Sequence, residues 1–181
     1  MNEQISFNET DWIYENLHNE THNARFLLGT RGVKTLVCFG INTSTAVPNK
    51  LDPTVTKVKN IALRNGYDSF MMMNVYPQRA TDPNDLHLEN DIFLKETNEK
   101  HIAKFINNQQ YDILAAWGNL IEKRSYLYPN LVDIASLTQL QNASWFCLGQ
   151  LTKSGHPRHP LYIRLDEKIE GFDIKSYIRK T

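Results

Sequence analysis

Val33-Lys34-Thr35-Leu36-Val37-Cys38-Phe39-Gly40-Ile41-Asn42 decides the fold. A short, mostly apolar run stops at a glycine and turns at once into polar residues. Such runs suit strands buried on both faces, as in a parallel sheet, because neither face needs a polar alternation. Three more segments repeat the pattern: Ser69–Met73 ending at Asn74, Ile113–Ala116 ending at Trp117-Gly118, and Ser144–Leu148 ending at Gly149. Between them lie helical patterns. Pro53–Arg64 places Val55, Val58, Ile61 and Ala62 on one face, with Asp52 as N-cap, Pro53 at the first helical position and Asn65-Gly66 as the stop. Asn98–Asn107 has Ile102, Phe105 and Ile106 at helical spacing, and Leu120–Leu137 reads as a less regular helix broken around Tyr128-Pro129-Asn130. The alternation predicts an α/β fold: a mainly parallel, four-stranded central sheet covered by helices on both faces. Arg25-Phe26-Leu27-Leu28 is expected to add an N-terminal element at the sheet edge.

Composition agrees with one folded domain spanning 1–181. Apolar residues make up 41% and charged residues 22%. No stretch approaches the roughly 20 apolar residues of a membrane span, and the polar start Met1-Asn2-Glu3-Gln4 gives no sign of a secretory leader, so a cytoplasmic protein is expected. Cys38 and Cys147 sit alone in apolar runs and read as buried thiols. The formal net charge is zero, yet residues 1–30 carry five acidic side chains against Arg25, while the segment from Thr152 carries seven Lys or Arg against four Asp or Glu. A solvated face explains such a bias as readily as a phosphate partner does.

In open α/β sheets ligands bind beyond the carboxyl ends of the strands. The unusual polar residues collect there: Asn42-Thr43-Ser44-Thr45, Asn74-Val75-Tyr76-Pro77-Gln78-Arg79, Trp117-Gly118-Asn119, and Gly155-His156-Pro157-Arg158-His159-Pro160-Leu161-Tyr162. GxGxxG, GxxxxGK[ST] and GxSxG are all missing, which argues against a dinucleotide fold, a P-loop and a serine hydrolase elbow. Asn42 and Asn74 are each explained by local turns as well as by ligand binding. Two prolines stiffen the loop around His156 and His159, which favours positioned imidazoles. No third ligand at a recognisable spacing supports a metal site.

Asn42-Thr43-Ser44-Thr45-Ala46, Asp52-Pro53-Thr54, Ala116-Trp117-Gly118 and Gly155–Tyr162 resemble the hallmarks NPSTA, DPT, AWG and GxPRHPLY of an uncharacterised bacterial domain family of unknown function. Thr43 stands where that pattern has proline. The order and spacing also resemble, more remotely, the uracil-DNA glycosylase superfamily: Gly40-Ile41-Asn42 is similar to its GIN motif, Met71-Met72-Met73-Asn74 to LLLN, Ala115-Ala116-Trp117-Gly118 to LLWG, and the last loop to HPSPL. This resemblance implies a three-layer α/β/α, uracil-DNA-glycosylase-like domain that flips and excises uracil or a related base from DNA. It implies catalytic roles for Asn42 and for His159 or His156, and base contacts by Asn74, Tyr76 and Leu161. Thr43, Ser44, Arg79 and Arg158 would hold phosphates. No cofactor or metal is implied. The partner is uracil-containing DNA, single- or double-stranded, and a DNA-mimicking inhibitor protein is a further one. Two alternatives stand beside it: a catalytically silent nucleic-acid-binding module, and an enzyme acting on a free nucleotide.

Overall fold

The computed structural model describes residues 11–42, 44–107, 109–140 and 143–179. One sheet of seven strands runs through the molecule: β1 (Trp12–His18), β2 (Asn23–Thr30), β3 (Thr35–Gly40), β4 (Ser69–Asn74), β5 (Asp112–Ala115), β6 (Ser144–Leu148) and β7 (Ile169–Gly171). Their order across the sheet is β1-β2-β4-β3-β5-β6-β7. The ladders β4–β3, β3–β5 and β5–β6 are parallel; β1–β2, β2–β4 and β6–β7 are antiparallel.

This corrects the expected four-stranded, mainly parallel sheet: the fold is α/β, but its sheet is seven-stranded and mixed. The physical reasons differ from strand to strand. β1 is an edge strand whose register shifts between Glu15 and Asn16, so the two-residue alternation slips midway and leaves no clean period. β7 has three residues, too few for any pattern. β2 contains the apolar run Arg25–Leu28, yet it is no edge: it lies between β1 and β4 and is buried from Ala24 to Thr30.

Among the described residues four α-helices cover the sheet: α1 (Pro53–Arg64), α2 (Ile92–Ile106), α3 (Leu127–Leu140) and α4 (Ile174–Ile178). α1 begins as the sequence predicts, with the Asp52 side chain accepting from the Val55 N–H at 2.8 Å and Pro53 at the first position. It buries Val55, Val58, Ile61 and Ala62 against Leu36, Cys38, Phe70, Met72 and Leu114. At roughly 1.5–3 kcal/mol for each fully buried large aliphatic, this stripe holds the helix in place. On the opposite face α2 contributes Leu94, Ile102 and Ile106, and α3 contributes Leu127, Leu131, Ile134 and Ala135, to a core with Val37, Phe39, Met71, Met73 and Trp145.

α2 starts earlier than Asn98, capped by Asp91 on the Leu94 N–H at 3.1 Å; its first residues, Ile92 and Phe93, are exposed and show no inward stripe. α3 runs through Tyr128-Pro129-Asn130 rather than breaking there. Pro129 falls in its first turn, where an amide N–H has no intrahelical partner to lose. Cys38 and Cys147 are free and buried, as expected, and burial pushes the Cys38 thiol far up its range. No helix among the described residues is long and apolar enough to cross a membrane.

Candidate functional site

The four parallel strands deliver their carboxyl ends side by side. Gly40 is in register with Asn74, and the pairing continues beyond both strands through Val75 N–H to Gly40 O and Tyr76 N–H to Ile41 O, each 2.9 Å. Gly40 has a steric duty here. A Cβ at this position would stand 2.9 Å from the Asn74 Oδ1 and 2.8 Å from the Met72 methyl carbon, so any side chain would displace the amide.

Asn74 is 0% exposed, and among the described residues neither its Oδ1 nor its Nδ2 has a hydrogen-bond partner. A buried polar group without a partner costs roughly 1–3 kcal/mol, and native structures hold few of them. Its backbone is fixed from α2, where the buried Asn98 Nδ2 donates to Asn74 O at 2.9 Å. Sequence reasoning missed Asn98, because one asparagine in a helix carries no signal of what it will touch.

The loop after β3 is held by cations. Asn42 donates through Nδ2 to Ala80 O at 2.6 Å, tying the exit of β3 to the loop after β4. Arg79 donates to Ser44 O at 2.7 Å, to Ala46 O at 3.2 Å and to the Tyr14 hydroxyl at 2.7 Å. Arg25, 1% exposed, donates to the same Ala46 O at 3.1 Å. Burial and then the charge of Arg79 lower the Arg25 pKa to about 10, partly offset by Asp52 and Tyr14. The Arg79 expected at a phosphate therefore clamps backbone, and Ser44 offers it a carbonyl. Thr43 lies outside the described residues. Tyr76, expected at the base, is fully buried in the core on the α2–α3 side, with its hydroxyl 2.7 Å from His87 Nδ1.

The last loop separates its two histidines. His156 faces a cavity of about 420 Å³ with both ring nitrogens engaged, Nε2 at 2.9 Å from Glu122 and Nδ1 at 2.6 Å from the Tyr177 hydroxyl, which also accepts from Trp117 Nε1 at 3.1 Å. His159 faces another cleft, of about 630 Å³, with Arg158, Trp117, Gly118 and Tyr162. Gly118 adopts φ 59°, and its N–H donates to Pro157 O at 2.9 Å; a Cβ there would press on the His159 Cβ at 3.3 Å. His159 Nδ1 accepts the Leu161 N–H at 3.3 Å, so the neutral ring carries its proton on Nε2. Burial lowers the His159 pKa below its ordinary value, with Asp52 opposing in part. Leu161 follows, 41% exposed, in the 3₁₀ turn Pro160–Tyr162, which packs against α1.

Asn42, Asn74 and the two histidines thus share the carboxyl edge of the sheet, while His156 and His159 line different cavities, and neither Asn42 nor Asn74 lines either of those two. Asn74 lies in a strand position alternating with Met73, on the α1 side, and His159 borders the same side through the 3₁₀ turn. A cavity of about 700 Å³ lies at the opposite, amino end of the strands, near Thr35, Tyr67 and Asp112. There the Tyr67 hydroxyl donates to Asp112 at 2.7 Å and Lys34 stands over the Tyr67 ring, while the buried Thr30 hydroxyl has no hydrogen-bond partner among the described residues. Among the described residues no three His, Cys, Asp or Glu side chains come together as a metal site.

The chain belongs to a family described as a protein of unknown function (DUF1643), whose model matches residues 25–161. The match takes in the ends of all four parallel strands and agrees with the first resemblance of the motifs. Comparison with curated proteins and with solved structures gives no match.

Proposed function

We propose that the protein is a DNA glycosylase of the uracil type, working at the carboxyl edge of β4, β3, β5 and β6. The observation that carries this reading is the Asn74 carboxamide, buried with donor and acceptor both unsatisfied. A uracil edge presents a carbonyl and an N–H side by side, and an amide pairs with both at once. Because the amide is sealed in the free chain, entry of the base has to displace its cover, which lowers the apparent affinity by the fraction of open molecules.

His159 supplies the second element. When the C1′–N1 bond breaks, its electron pair leaves with the base, which becomes an anion; water adds to C1′ and gives up a proton. A neutral imidazole with its proton on Nε2 stabilises that anion as it develops, acting more on the transition state than on the bound substrate. Asn42 is a positioning residue in this scheme, holding the β3 exit loop against Ala80. Arg25 and Arg79 keep the same loop in shape through Ser44 and Ala46. Such an enzyme would act in the cytoplasm, where the DNA is.

A free nucleotide as substrate is the second reading. It is favoured by the use of Arg25 and Arg79 on backbone carbonyls, which commits both guanidinium groups to the loop rather than to a strand, and by a cleft of a volume that suits a small ligand. The deciding assay incubates the protein with uracil-containing single- and double-stranded DNA in chelator, then cleaves abasic sites with alkali. The glycosylase reading expects scission at uracil positions. Intact strands at protein excess would reject it, and competition by free nucleotide with a shallow salt dependence would favour the second reading.

A further inference from the structure

We propose that Tyr162 and Arg158 form a subsite for the nucleotide next to the target, and that the substrate is therefore single-stranded DNA. The inference deepens the glycosylase reading and rests on it for the identity of the strand. Three features of the cleft carry it. Tyr162 is 83% exposed, yet it is not on a loose segment: Tyr162 N–H donates to His159 O at 3.2 Å, Ile163 N–H to Pro160 O at 3.1 Å, and the buried Ile163 anchors the turn. Its ring stands 5.7 Å from the His159 ring at an interplanar angle of 48°, so it overhangs the imidazole assigned to the reacting base. Arg158 lines the same cleft and makes no hydrogen bond or ion pair among the described residues; no Asp or Glu lines that cleft.

An unopposed guanidinium, a largely apolar wall and a presented aromatic face match the parts of a nucleotide: a phosphate for the cation and a base for the ring. The face of Tyr162 can stack only on a base whose own face is free, which an unpaired strand offers and a continuous duplex does not. The charge agrees. Duplex binders gather many phosphate contacts, whereas this chain is neutral overall and presents one unpaired cation at the cleft.

The test uses the full chain and a fluorescent thymidine oligonucleotide without uracil, so that binding is read apart from excision. The same oligonucleotide with abasic sites and a duplex of equal length serve as comparisons. Tyr162→Ala should weaken binding of the thymidine strand about 5- to 100-fold, as expected for one stacked base, leave the abasic strand unchanged, and be rescued by Tyr162→Trp. Arg158→Ala should weaken both strands alike and reduce the salt slope by about 0.7. Circular dichroism controls for folding, and the exposure of Tyr162 keeps that risk small. Equal binding by Tyr162→Ala, a preference for duplex, or no strand binding by the unmodified chain would each overturn the proposal. Tyr162-dependent strand binding without uracil release would leave the subsite standing and remove the excision reading; uracil release with no Tyr162 effect would do the reverse.

Discussion

At the scale of residues, His159 and His156 show how neighbours divide two equal-looking side chains. Both match the histidine of the loop motif, and sequence spacing leaves the choice open. In three dimensions His156 has both nitrogens engaged by Glu122 and Tyr177, whereas His159, which lines the larger cleft, has Nδ1 engaged by the Leu161 N–H. Its lowered pKa follows chiefly from burial. Protonating Nδ1 would also set a new N–H against the Leu161 N–H that now donates to it. The sign follows from linkage: the folded chain binds fewer protons here than the unfolded chain, so stability is lost as pH falls below the unfolded histidine value of about 6.5. His159→Gln should therefore flatten the fall in denaturation midpoint below that pH. The fall should not vanish, since burial also lowers the His101 pKa. His159→Ala, which removes the donor altogether, should slow base release at neutral pH roughly 100-fold or more. An unchanged pH dependence and an unchanged rate would remove His159 from the site. Asn74 was legible as a polar residue at a strand end, but its unsatisfied amide was not, because satisfaction depends on neighbours that sequence does not list.

At the scale of elements, local chemistry was legible wherever one element carried its own signals. α1 has a cap, a first-position proline, an apolar stripe and an asparagine-glycine stop, and its limits coincide with those read from sequence. β3 to β6 announce themselves because burial on both faces demands continuous apolar runs. β1 and β7 do not, being bulged and very short. Asp52 links an element to the site: it caps α1 while its charge acts on both Arg25 and His159. Asp52→Ala should cost about 0.5–2 kcal/mol in chemical denaturation, whereas Asp52→Asn, which keeps an N-cap oxygen, should stay near the unmodified value. Equal losses in both would mean that the charge, and not the cap, is what the fold uses.

At the scale of the whole molecule, the sheet places its chemistry by topology. Strands distant in sequence end together; α2 fixes the Asn74 backbone from one face, and on the other α1 packs against the turn that follows His159. What sequence could not supply was the mixed sheet around that edge and the division of the loop between two cavities, since both arise from contacts across the chain. The central claim is that the sealed Asn74 amide pairs with a base. Its side-chain resonance in a proton–nitrogen correlation spectrum, assigned by its loss in Asn74→Ala, reports on this directly during titration with free uracil. A progressive, saturating shift of that resonance is the predicted result; a resonance that stays in place at saturating uracil would contradict the claim.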